Sequence, residues 1–112
     1  MASPVQALFS GQLGSGAVRL YASAAGIWTQ ITKNLCVNTA GSPQTVTFYV
    51  VPSGGTTGTS TLTTVAEGIL AGASWQSPNE PGLVLNPGDA IWGLASNAND
   101  VNCYLAGVMV SA

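Results

Sequence analysis

Six side chains in the sequence carry charge: Arg19, Lys33, Glu67, Glu80, Asp89 and Asp100. Histidine is absent. Catalysis by paired carboxylates needs two acids held roughly 5–10 Å apart, and the four acids are the only candidates. Asp89 directly follows a turn glycine, and Asp100 sits in Asn97-Ala98-Asn99-Asp100, so turn capping accounts for both. Without histidine, the usual general base, the serine triads and the commonest metal ligand are missing. Cys36 has no basic neighbour to lower its pKa, so a nucleophilic role is not expected. Gly54-Gly55 reads as a turn, because a phosphate cradle needs Gly-Lys-Ser/Thr. Trp28, Trp75 and Trp92 could stack on a sugar, but aromatics in a β domain are mostly core. Trp75, in the loop-rich half, is the one to place at an interface. These residues predict no enzyme, no metal and no cofactor.

The elements that hold these residues read as strands. The clearest signal is Gly82 to Ser96, a strand, a tight turn and a strand. Pro87 presets φ for the first turn position and Gly88 supplies the positive φ of the second, as a type II turn requires. Val18 to Ser23 is a short strand, with Val18 and Leu20 opposite Arg19 and Tyr21. In Ile27 to Asn38, the residues Ile27, Ile31, Leu35 and Val37 share one parity, as a half-buried strand requires. Lys33 falls on the same parity, which predicts a bulge or a strand end near it. Gln44 to Pro52 alternates Val46, Phe48 and Val50 with Thr47, Tyr49 and Val51. Thr63 to Leu70 fits a strand or one helical turn, with the strand preferred, Ala73 to Ser77 carries Trp75, and Ser77 to Gly82 is a surface loop. Val101 to Val110 closes the chain. Val101, Cys103 and Leu105 share a face there, and Gly107 marks a bulge that resets the parity to Val108 and Val110.

No amphipathic helix of ten residues is found. Strands punctuated by turn signals every 8–15 residues predict an all-β fold. The expected architecture is an antiparallel β-sandwich of about seven or eight strands, jelly-roll-like, over residues 17–112. Residues 1–16 are expected to be an N-terminal arm, because Gly11, Gly14 and Gly16 break any helix. Phe9 and Leu13 then need burial, either on the domain itself or on a neighbour.

Composition narrows the function. The 112 residues suit one domain. Charged residues are 5% of the chain, where about 25% is usual. So little charge leaves little repulsion between copies, which favours a protein that works against copies of itself or a larger assembly. Net charge −2, with two basic residues, argues against nucleic acid and anionic membranes as partners. Met1 to Gly16 has no basic segment or long apolar run, so no signal peptide is expected. Cys36 and Cys103 are then expected to be free and buried rather than bridged.

The order of the motifs carries a resemblance. Leu35-Cys36-Val37-Asn38-Thr39 is followed by Gly41-Ser42. Then comes Thr45 to Val51, ending in Pro52-Ser53-Gly54-Gly55. Gly82-Leu83-Val84-Leu85-Asn86-Pro87-Gly88-Asp89-Ala90-Ile91 follows, and a C-terminal strand ends the series. This layout resembles small tailed-bacteriophage virion proteins over Leu8 to Ser111. One departure is Ala24-Ala25-Gly26, where those proteins often carry Pro-Ala-Gly-Lys. The resemblance implies a β-sandwich virion component without catalytic residues. The first expectation is a capsid decoration, or cement, protein on the virion exterior, assembled in the host cytoplasm. It would form a homo-oligomer, a trimer, bound to the major capsid protein. Phe9, Leu13 and Trp75 are the expected contact residues. The alternative is a tail or fibre module that recognises a host surface glycan.

Overall fold

Turn-forming residues cut this sequence into short extended runs, and the runs become strands. The computed structural model describes residues 5–111. The strands are β1 (Val5–Gln12), β2 (Val18–Ala22), β3 (Ile27–Asn38), β4 (Gln44–Val51), β5 (Leu62–Ile69), β6 (Ser74–Gln76), β7 (Val84–Leu85), β8 (Ala90–Ala95) and β9 (Val101–Ser111). A single 3₁₀ turn, Thr59–Thr61, interrupts the threonine-rich loop before β5.

Two antiparallel sheets pack face to face as a β-sandwich. The first runs β1-β9-β3-β6, with β7 also pairing β3, and the second runs β2-β8-β4-β5. Pairing is nested: β1 with β9, β2 with β8, β3 with β6 and β4 with β5. The chain is in effect one long hairpin, bent at the β4–β5 connection and rolled so that its strands alternate between sheets. Phe48, Val46, Ile91, Ile69 and Ala95 of the second sheet meet Ile31, Cys36, Cys103, Leu105, Val101 and Leu85 of the first to form the core. At ~25 cal/mol per Å² of apolar area removed from water, this layer is the dominant favourable term in folding.

The turn around Pro87 forms as its residues dictate. Gly88 has φ of 89°, and the Asp89 N–H donates to the Asn86 carbonyl at 2.9 Å. The Asp89 carboxylate does more than cap. Its Oδ2 accepts from the Asn86 N–H and its Oδ1 from the Ser53 N–H, both at 3.0 Å. The turn is thereby tied to the loop after β4.

Several expectations need correction. Val5–Gln12 is not a free arm but an edge strand laid along β9. Residues 1–4 of the expected arm lie outside the described residues. Leu13 is wholly buried in the core. The predicted bulge does occur between Ile31 and Lys33, but it inserts Thr32 and inverts the faces beyond it. Asn34, Cys36 and Asn38 therefore point inward, and Leu35 and Val37 point outward and are half-buried. A bulge between Arg19 and Tyr21 does the same in β2, and both Leu20 and Tyr21 pack on the core. In β9 the parity never resets. Met109 faces inward, where it accepts a hydrogen bond from the Tyr21 hydroxyl at 3.2 Å, and Val110 stays exposed. Gly107 is glycine for another reason: a Cβ there would sit 2.6 Å from the Gln30 carbonyl oxygen. The Ser77–Gly82 loop is no plain surface loop, since Glu80 within it is completely buried.

Candidate functional site: an apolar sheet face

Register decides which side chains share the outer face of the first sheet, because directly opposed residues in paired strands project to the same side. Reading across the strands gives five rungs. Val5 lies beside Val108, which lies beside Gln30 and then Val84. Trp28 pairs with Val110. Ala7, Ala106 and Lys33 form the next rung. Ser10, Tyr104, Leu35 and Gln76 form the fourth, and Gln12, Asn102, Val37 and Ser74 the fifth.

This face is apolar beyond what an isolated sheet needs. Eight large hydrophobic side chains are exposed among the described residues. Five of them, Val5, Trp28, Val84, Tyr104 and Val110, lie on these rungs, with Trp28 40% and Val110 53% exposed. The other three, Val18, Val65 and Leu70, belong to β2, β5 and the turn after β5. Lys33 is the single charged side chain on the rungs. At the fourth and fifth rungs, Ser10, Gln12, Leu35, Val37, Asn102 and Tyr104 border a shallow groove of about 280 Å³.

The expected contact residues are placed differently. Phe9 is half-buried and packs on the core, and Leu13 offers no surface at all. Trp75 stands opposite Cys36 on the inward side of β6 and packs on the core. The exposed tryptophan is Trp28. A sequence signal for it existed, since Trp28 has the opposite parity to Ile27 and Ile31. Trp92 lies on the outer face of the second sheet, between Arg19 and Tyr49.

The titratable groups are dispersed or already engaged. Both Asp89 oxygens accept backbone N–H groups. Glu80 accepts from Asn34 Nδ2 at 2.9 Å and from the Thr64 hydroxyl at 2.7 Å. Cys36 and Cys103 are free and buried, and both thiols donate to Asn34 Oδ1, at 3.7 and 3.5 Å. A hydrogen bond with the Cys36 sulfur, then burial, then electrostatic repulsion from Cys36 and Glu80 push the Cys103 thiol far above the usual range. A thiol so held is not a nucleophile. Among the described residues, no group of three His, Cys, Asp or Glu side chains is placed to hold a metal ion. Nor is any helix among the described residues long and apolar enough to cross a membrane.

No protein-family model matches the chain, and no curated protein or solved structure was found to be similar to it.

Proposed function

We propose that this chain is a structural protein of a virus particle, a capsid decoration (cement) protein that self-associates and binds the major capsid protein. The observation that carries the reading is the apolar outer face of β1, β9, β3 and β6/β7. Monomeric proteins rarely expose large contiguous apolar patches, and those that do mostly use them to bind. Strands of 8, 11 and 12 residues with the short β6 and β7 at the edge, ~4.8 Å apart and ~3.3 Å per residue, give a face of about 570 Å². A standard interface takes about 800 Å² from each partner. The one charge on the face, Lys33, makes an equally neutral surface the best match, and a second copy of this chain supplies one.

The nested strand pairing supports the jelly-roll reading, an architecture common in viral coat domains. Cupins share it, but their metal chemistry relies on histidine, which this sequence lacks. The near-absence of charge suits a subunit packed among neighbours. A trimer at a junction of capsomers would multiply modest contacts through effective concentration. Its work would be burial, which holds the shell together against expansion.

The test is the mass of the native protein in solution. Sedimentation of the wild-type chain should give a homo-oligomer, and Trp28→Ser with Val110→Ser should give a folded monomer. The same pair of substitutions should reduce occupancy on empty capsids. A wild-type chain that stays monomeric at high concentration would remove the self-association reading. Low copy number in purified particles would move the protein from the shell to the tail.

A further inference from the structure

The two cysteines lie far apart in sequence but directly oppose each other in the β3–β9 ladder. Which kind of opposed pair they form follows from the neighbouring hydrogen bonds. The Ser77 N–H donates to the Asn34 carbonyl, and the Asn38 N–H donates to the Ala73 carbonyl. The backbone groups of Asn34, Cys36 and Asn38 therefore point toward β6. On β9, the Val101 carbonyl accepts from the Leu13 N–H, so Val101, Cys103 and Leu105 point toward β1. Cys36 and Cys103 thus face each other as a non-hydrogen-bonded pair, the closer of the two antiparallel types, with Cα atoms about 4.5 Å apart. Disulfides span Cα separations of roughly 4.4–6.8 Å. Both side chains point inward and are buried, and both thiols reach the same Asn34 oxygen.

We propose that Cys36 and Cys103 are a latent cross-strand disulfide that an oxidising thiol–disulfide environment closes, stapling β3 to β9. Closure breaks two S–H bonds and forms one S–S bond. The two electrons and two protons pass to a small disulfide such as oxidised glutathione, which is reduced to two thiols. The first step needs a thiolate in contact with the reagent. The folded protein keeps Cys103 protonated and out of solvent, so closure takes place while the β3–β9 pair is open, during folding or breathing. The staple then holds the central strands of the sheet that carries the apolar face. It belongs to the β3–β9 pair and stands or falls separately from self-association.

The experiment unfolds the full chain in urea and refolds it with oxidised or with reduced glutathione. Refolding under oxidising conditions should yield a monomeric covalent species lighter by two hydrogen atoms. A glutamate-specific protease cutting at Glu67 and Glu80 then leaves the Cys36 and Cys103 peptides linked until a reductant is added. The bridged form should melt about 10 °C or more above the reduced form, and the gain should vanish on reduction. Cys36→Ser should abolish both the link and the gain; if that variant does not fold, the oxidised and reduced wild type make the comparison alone. Two free thiols after oxidative refolding, glutathione adducts, disulfide-linked dimers, or a bridged form that melts lower would each overturn the proposal.

Discussion

The Asn34 side-chain amide donates to the Glu80 carboxylate at 2.9 Å, with both residues wholly out of solvent. Asn34 lies on β3 in one sheet. The other Glu80 oxygen accepts from Thr64 on β5, in the opposite sheet, at 2.7 Å. A single carboxylate from a loop thus clips the two sheets together. Asn79 and Ser77 surround Thr64 with further hydrogen bonds, and none of the buried polar side-chain atoms described lacks a partner.

Glu80→Ala would strand both donors and leave a void between the sheets. The expected loss is about 3 kcal/mol of unfolding free energy, measured by urea titration. Glu80→Gln keeps the shape and one acceptor, and should lose clearly less. Equal losses would show that volume contributes nothing and that both carboxylate acceptors are needed, whereas no loss in Glu80→Gln would show that volume, and not hydrogen bonding, is what Glu80 contributes.

Asp89 is exposed enough that its two backbone hydrogen bonds compete with water. Asp89→Ala should cost about 1 kcal/mol, and Asp89→Asn, which keeps one acceptor oxygen, less. Hydrogen exchange at the Ser53 and Asn86 amides should speed up in the alanine variant, since these are the two donors it loses.

Gly107 stands where the β3 bulge brings the Gln30 backbone close. In Gly107→Ala the new methyl would meet the Gln30 oxygen at 2.6 Å and Leu8 Cδ1 at 2.9 Å. Backbone on a central strand cannot move aside cheaply, so about 3 kcal/mol should be lost. Gly41→Ala is the matched control: nothing lies within 4 Å of its added carbon, and its thermal midpoint should barely move.

Alkaline pH should destabilise the reduced protein through Cys103. Its folded pKa lies far above the ordinary value of 9.0. A raised folded pKa means that the stabilisation is complete below the unfolded pKa and is lost as pH rises above it. Between pH 9 and 10 the unfolded chain releases a thiol proton that the folded chain keeps. Stability should then fall by up to about 1.4 kcal/mol per pH unit for this group. Denaturant midpoints across this range should show the slope in the wild type and lose most of it in Cys103→Ser.

Local residue chemistry was enough to predict strands, because glycine, proline and asparagine clusters end extended runs wherever they occur. Ile27 to Asn38 and Gln44 to Pro52 were legible for that reason, and the Pro87-Gly88 turn was legible down to the positive φ of Gly88. An irregularity at Lys33 could be read too, since a charged side chain on an apolar parity needs a bulge or a strand end, and the structure makes it a bulge. Its consequence could not. One inserted residue exchanges the faces of everything after it, so Leu35 and Val37 became surface while Asn34 and Cys36 became core.

The candidate face was hidden for the same reason. Sequence alone determined an all-β sandwich with little charge and no histidine chemistry. Only the tertiary structure decided which apolar residues are left over. Val5, Trp28, Val84, Tyr104 and Val110 are scattered along the chain, and it is strand register across three ladders that gathers them on one side. Register likewise set Cys36 against Cys103 and brought Glu80 between two sheets. Such pairings depend on hydrogen bonds between residues distant in the chain, and no local pattern encodes their partners.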